Sequence, residues 1–276
     1  MIASSNTLKA GVRSLQYFAC LIGLFAVTAA AQTSIDAAGE EQLLALVNHE
    51  RAKAGASPLN LDERLTRAAR NHAQRMAEQD SLVHQLPGED VLLLRLTAEN
   101  VRADHDGENI ALNSDVAAAH TALMESPQHR ANILRPGFNA IGIGVLRSGE
   151  LLYITEDFAH VLPDYSEFEA DAVAQQAIVD YTRSLNLPVP ARKSRTQLAH
   201  MACDMAREDK LDSAKARDIP GVSSAVAWTA TDLHNLPAGL KKILSQPVQS
   251  GYSLGVCWST SRSQPGGVYW LLFVTY

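Results

Sequence analysis

Residues 141–158 read IGIGVLRSGELLYITEDF, and their pattern decides the fold class. Side chains alternate over 141–146 and again over 151–158, and Arg147-Ser148-Gly149-Glu150 between them supplies a turn. That is the signature of an antiparallel β-hairpin. Upstream the period changes to that of helices. Ser126-Pro127 opens a short helix, serine at the cap and proline in the first turn. Ser114 is placed to cap a helix carrying Val116, His120 and Leu123 on one face. Leu65, Ala68, Ala69, His72, Ala73, Met76 and Ala77 form one stripe of an earlier helix that Asp62 caps. Leu43, Leu44 and Val47 mark a first helix ending near Ala54, with Glu50 and Arg51 on its polar side. Residues 85–107 carry Pro, Gly, Asp and His without a stable period, apart from a short leucine run at 92–96, and read mainly as an irregular connection. Helices first and a hairpin after them predict an α+β layer structure.

Beyond Pro163-Asp164-Tyr165-Ser166, which reads as a linker, the pattern repeats. Ala177-Ile178-Val179-Asp180 with Arg183 matches Ala45-Leu46-Val47-Asn48 with Arg51, and Met205-Ala206 with Asp209 matches Met76-Ala77 with Asp80. Pro247 followed by Gly255-Val256 echoes Pro136 followed by Gly144-Val145, and 268–273 echoes 153–158. Chance likeness of two amphipathic helices is the alternative, and the hairpin match argues against it.

The chain opens with Lys9 and Arg13, an apolar run over 15–27 and the small residues Ala29-Ala30-Ala31, the form of a signal peptide over 1–31. The apolar run is shorter than the roughly 20 residues a membrane helix needs, so no membrane span is expected. Export to a periplasm or the medium is the expectation. About 245 residues then remain, enough for one large domain or two smaller ones. The full chain has 24 basic and 30 acidic residues, and loss of Lys9 and Arg13 takes the net charge from −6 to −8, the wrong sign for a nucleic-acid partner. Cys20 leaves with the leader. Cys203 and Cys257 either form a disulfide across a helix–strand contact, adding about 4 kcal/mol by loop entropy, or stay as two buried thiols.

Three segments of the first half bring in polar chemistry: Ser81-Leu82-Val83-His84, Gly107-Glu108-Asn109-Ile110-Ala111, and residues 126–134, SPQHRANIL. Neutral imidazoles and a carboxylate from separate elements can converge on a divalent metal such as zinc, or bind a polar ligand directly. Other readings stand beside this one. His84 and His129 can be structural histidines at helix ends, and Glu108 can accept backbone N–H groups in a turn. His72 and His120 lie on apolar stripes and read as hydrogen-bonded core histidines. Arg130 is expected to orient the turn or pair with a carboxylate, and His105, between Asp104 and Asp106, to be solvated.

From about residue 43 to 158 the sequence resembles the CAP superfamily of sperm-coating, pathogenesis-related and allergen-like secreted proteins, in its bacterial form. The resemblance rests on Val47-Asn48-His49-Glu50-Arg51, Asn71-His72-Ala73-Gln74-Arg75-Met76-Ala77, His84, GENIA at 107–111, SPQHRANIL at 126–134, Gly142-Ile143-Gly144-Val145, and Tyr153 through Asp157-Phe158. It implies an α-β-α sandwich with an open cavity where two histidines and two acidic residues gather, in some relatives around zinc. By motif, His84, Glu108 and His129 match three of the four ligand-binding positions and are the metal ligands it implies. Glu125 is the nearest acid for the fourth. Animal and plant members place that Glu three residues after a helix Trp; here Leu123 replaces the Trp and Glu125 comes one residue early. On this reading residues 1–31 are the leader, 38–160 a CAP domain and 166–276 a degenerate CAP-like copy, two tandem sandwiches in all.

The second copy lacks the polar cluster: Leu240-Lys241 stand where His129-Arg130 do, Met201 where His72 does, and no GEN segment occurs. It reads as a scaffold or partner surface. Standard hydrolase motifs are also missing, since Lys53 occupies the second His position of the HExxH pattern that His49-Glu50 begins. The expected function is binding, of a metal, or of a small, lipid or cell-envelope ligand. The alternatives are a metal-dependent hydrolase of peptide or cell-wall material, with Glu108 as base, and a non-catalytic module for a protein partner.

Overall fold

The computed structural model describes residues 33–194, 196–246 and 251–276. The leader expected over 1–31 and the Pro247 part of the expected repeat lie outside the described residues. The first half runs β1 (Thr33–Ile35), α1 (Ala37–Lys53), β2 (Asn60–Leu61), α2 (Glu63–Glu78), α3 (Leu92–Ala98), β3 (Ala103–Asn113), α4 (Val116–Glu125), α5 (Pro127–Leu134), β4 (Ala140–Ser148) and β5 (Leu151–Val161). Its sheet has the order β1-β4-β5-β3, with β2 joined to β4. The expected hairpin forms with Ile141 opposite Phe158, and Gly149 takes a φ of 60° in its turn.

Alternation along β4 and β5 divides the side chains between two helical layers. Ile141, Ile143, Val145, Leu152, Ile154 and Phe158 pack with Leu43, Val47, Val116, Leu123 and Ile133 of α1, α4 and α5. Ala140 and Ala159 pack on the other face with Leu65 and Ala68 of α2 and Leu96 of α3. The result is an α-β-α sandwich. Contact with α2 is close because Gly142 and Gly144 face it: a Cβ at Gly142 would lie 2.0 Å from the Leu65 carbonyl carbon, and one at Gly144 2.6 Å from that of Ala69. Asp62 caps α2 as expected, accepting from the Arg64 and Leu65 N–H groups.

Three expectations need correction. Residues 85–107 are not irregular throughout: they hold α3 and the start of β3, and the GENIA residues lie inside the strand. The side chain capping α4 is that of Asp115, which accepts from Ala118 N, and not Ser114. Arg51 is fully buried, where its guanidinium donates to the carbonyls of Ser57, Ile133, Arg135 and Phe138. It satisfies the carbonyls that end α5 and the loop to β4, a need that helical periodicity does not reveal.

The second half contains α6 (Glu167–Ser184), α7 (Thr196–Glu208), α8 (Ala214–Arg217), β6 (Ser224–Ala230), α9 (Ala238–Leu244), β7 (Tyr252–Ser259) and β8 (Val268–Thr275). Ser166 of the linker starts α6 through a reciprocal capping box with Glu169. The sheet order β6-β8-β7 parallels β3-β5-β4. Gly255 of β7 lies against α7, where a Cβ would meet the Leu198 carbonyl carbon at 2.2 Å. Helices α2 and α7 also end alike: Ser81 N donates to Met76 O and Lys210 N to Met205 O, both at 3.0 Å, with Asp80 and Asp209 at φ of 45° and 52°. Cys203 on α7 and Cys257 on β7 form a disulfide. Among the described residues no helix is long and apolar enough to cross a membrane.

Candidate functional site at the edge of the first sheet

Strand β3 is the edge of its sheet, and Glu108 stands in its middle opposite Asp157 of β5. The Glu108 side chain faces α2 and α3. There His84, on the loop after α2, meets Oε1 through Nδ1 at 2.8 Å, and Arg95 of α3 donates from Nη2 to Oε2. Deeper in, His72 Nε2 lies 3.8 Å from Glu108 Oε2 and 3.1 Å from the Val83 carbonyl oxygen, while its Nδ1 meets Glu89 Oε1 at 3.0 Å. Glu89 also accepts from Leu86 N. One network thus ties the loop carrying His84 to α2, α3 and β3.

Burial pushes Glu108 upward, but the hydrogen bond with His84 and the Arg95 charge outweigh it and hold the carboxyl below its usual range. The same hydrogen bond raises His84 above 6.5, against burial and the charge of Arg95. The side chain of His84 is 58% exposed, so its second ring nitrogen is open to a ligand. Asp157 is driven the other way. It is fully buried, neither of its oxygens has a protein donor, and burial together with the Glu108 charge pushes its pKa far up. Neighbouring Glu156, on the opposite face, is raised by burial to about 7, although Asn109 donates to it at 3.0 Å.

His129 approaches from α5, on the other helical layer. Asn109 Nδ2 donates to the His129 carbonyl oxygen at 3.2 Å, and Asn132 Nδ2 donates to Glu108 O and Asn109 Oδ1 at 3.1 and 3.0 Å. These bonds fasten α5 to β3 beside Glu108. The imidazole of His129 is half-buried, and burial, then the charge of His84, lowers its pKa. His84 and Glu108 are therefore in direct contact at the open sheet edge, and His129 is held beside them through its backbone, its ring near enough for the charge of His84 to act on it.

Glu125 is exposed at the end of α4, and among the described residues no hydrogen bond or ion pair joins it to His84, Glu108 or His129. The acids that adjoin Glu108 are Asp157, across the strands, and Glu89, through His72. His72 is the hydrogen-bonded core histidine expected of it. His120 is buried as expected, but neither ring nitrogen has a partner and burial lowers its pKa. Arg130 is exposed and pairs with no carboxylate among the described residues. Arg95 and Glu89 went unanticipated; a leucine run in α3 gives no sign that its one cation turns inward. Behind the network a cavity of about 400 Å³ is lined by His72, Arg75, Glu89 and Arg95.

The donor set can be tested against zinc. Both Glu108 oxygens are engaged, one by an imidazole and one by a guanidinium whose positive charge opposes a cation there. Among the described residues His84, Glu108 and His129 do not bring three ligand atoms within 4.8 Å of one another. What the geometry shows is Glu108 behind His84, holding one ring nitrogen inward while the ring stays exposed.

Residues 44–161 match the sequence model of CAP, the cysteine-rich secretory protein family. Over 125 residues the chain is 34% identical to the uncharacterized protein YkwD of Bacillus subtilis strain 168, a stretch covering 45% of this chain and 48% of that protein. The chain thus spans about half the length of this curated relative. Among solved structures, it is similar to an extracellular protein containing an SCP domain from Bacillus anthracis strain Ames, at 28% identity and a TM-score of 0.42 over 44% of this chain and 40% of that one. A cysteine-rich secretory protein from Staphylococcus aureus strain Mu50 is similar at 22% identity and a TM-score of 0.37, over 45% of this chain and 39% of that one.

Proposed function

We propose that this chain is an exported binding protein whose CAP domain takes a divalent metal, or a small polar ligand, on the imidazoles of His84 and His129. The observation that carries the reading is the clamp on Glu108. A carboxylate buried between an imidazole and a guanidinium fixes His84 with one nitrogen directed inward and the other left for a ligand. Glu108 is then a positioning residue and not a ligand. When bound, zinc would supply a Lewis-acid centre on the two imidazoles. Export is supported by the leader sequence and by the Cys203–Cys257 disulfide, a bond that persists in oxidising compartments. The second half is a worn copy of the first that keeps the packing and serves as scaffold or partner surface. The shared strand order, the Gly255–Leu198 contact and the matched ends of α2 and α7 support that descent.

The test is an imidazole NMR titration with zinc. The His84 and His129 resonances should respond together, and His129→Ala should abolish the response of His84. If neither resonance moves, the metal reading fails. Displacement of the same two resonances by members of a panel of small polar compounds would then define the ligand class.

A further inference from the structure

We propose that Asp104, His105 and His160 form a separate, solvent-facing site for a divalent transition-metal ion. The three residues come together through a local irregularity. In a regular strand Asp104 and His105 would point to opposite faces. Here the β3–β5 register shifts between Ala103 and His105, a bulge that turns both side chains to the face bearing His160, the cross-strand partner of His105. Both imidazoles then converge on one oxygen: His105 Nδ1 lies 3.0 Å and His160 Nδ1 2.6 Å from Asp104 Oδ1. Among the described residues this is the one group of three such side chains whose ligand atoms all lie within 4.8 Å of one another.

These separations suit an ion. Metal–ligand bonds of about 2.0–2.2 Å in a tetrahedral shell put neighbouring ligand atoms on the order of 3.3 Å apart, close to the hydrogen-bonded distances seen here. An ion would replace the protons that the two Nδ1 atoms share with Asp104, and its binding would release them. Two imidazoles with one carboxylate favour zinc, nickel or copper over magnesium or calcium, and the exposed setting leaves water to complete the shell. The contrast with Glu108 is instructive. Arg95 occupies one oxygen of Glu108, whereas among the described residues the ion-pair partners of Asp104 are the two histidines alone. The site lies on the sheet face opposite Glu108, since His105 and His160 share their side with Asn109 and Glu156. It does not depend on the reading of the His84 cluster.

Calorimetric titration of the untagged chain with nickel and with zinc decides the matter, together with the visible spectrum of the cobalt form. One equivalent of metal should be lost in His105→Ala and in His160→Ala and weakened by on the order of tenfold or more in Asp104→Asn; in His84→Ala, whatever that change removes at its own cluster, the equivalent that depends on His105 and His160 should remain. The cobalt bands should follow the same order. All three positions are solvent-exposed or nearly so, and circular dichroism checks that each variant is folded. The proposal is overturned if no metal binds in the micromolar range, or if His105→Ala and His160→Ala bind as the parent does. Loss confined to His84→Ala would assign the metal to the other cluster and overturn it equally.

Discussion

Glu108 holds an imidazole and a guanidinium at once, and removing its charge separates their contributions. In Glu108→Gln the amide keeps nearly the same shape but no longer favours protonated His84, while Arg95 remains close by. The NMR titration midpoint of His84, which the Glu108 contact raises, should therefore fall in the variant. A raised imidazole pKa stabilises the fold below the unfolded value near 6.5, and this contribution is lost as the pH rises through the folded value. An unchanged midpoint would mean that the His84–Glu108 contact does not persist in solution. At this scale the motifs of the sequence single out His84 and Glu108, which the fold brings into direct contact, and His129 on the neighbouring helix. The sequence was silent on Arg95 and Asp157. Their role depends on which way a short helix and a central strand turn one side chain, and the chain carries no local mark of that. Glu125 failed for a related reason: the break at Ser126-Pro127 reorients the chain between α4 and α5, so helical spacing does not carry from one to the other.

Among the elements, α1, α2 and the β4–β5 hairpin were legible because a steady period runs through each. Strand β3 was not. Asp104, Asp106, Gly107 and Asn109 are poor strand formers, and the bulge breaks the alternation that would have marked it. Pairing with β5 overrides those preferences. By contrast, the glycines of β4 were read only as part of a motif, yet they set how closely α2 approaches the sheet. In Gly142→Ala the new methyl carbon would lie 2.0 Å from the Leu65 carbonyl carbon, a backbone contact that no rotamer relieves. The substitution should destabilise the fold by about 3 kcal/mol, the upper part of the range for overpacking. Denaturant unfolding measures this, and a loss under about 1 kcal/mol would show that α2 shifts freely. Because α2 carries His72, such a shift would also disturb the Glu108 network.

For the whole molecule, two sheets of matching strand order each lie between helices, yet polar chemistry of the His84 kind belongs to the first. The second invests in its core and in one covalent link. Cys203 and Cys257 span a separation of 54 residues and join α7 to β7, the same kind of helix–strand contact that glycines mediate between α2 and β4. Replacing both cysteines with alanine frees the unfolded chain from that loop and should cost about 2–4 kcal/mol. The loss should be confined to stability. Both sulfurs lie in the second half, packed among Leu198, Ala202, Trp270 and Leu272, whereas the His84 network is built from α2, α3, β3 and the loop after α2. Denaturation of the double variant should therefore give a lower midpoint, while the His84 titration and the α5–β3 amide bonds of Asn109 and Asn132 remain as in the parent. If the variant loses no stability, the cross-link does not restrain the unfolded ensemble as loop entropy requires. A change in the His84 midpoint would show instead that the second sheet reaches the site through its packing, and would make it an active support of the first half and not only its neighbour.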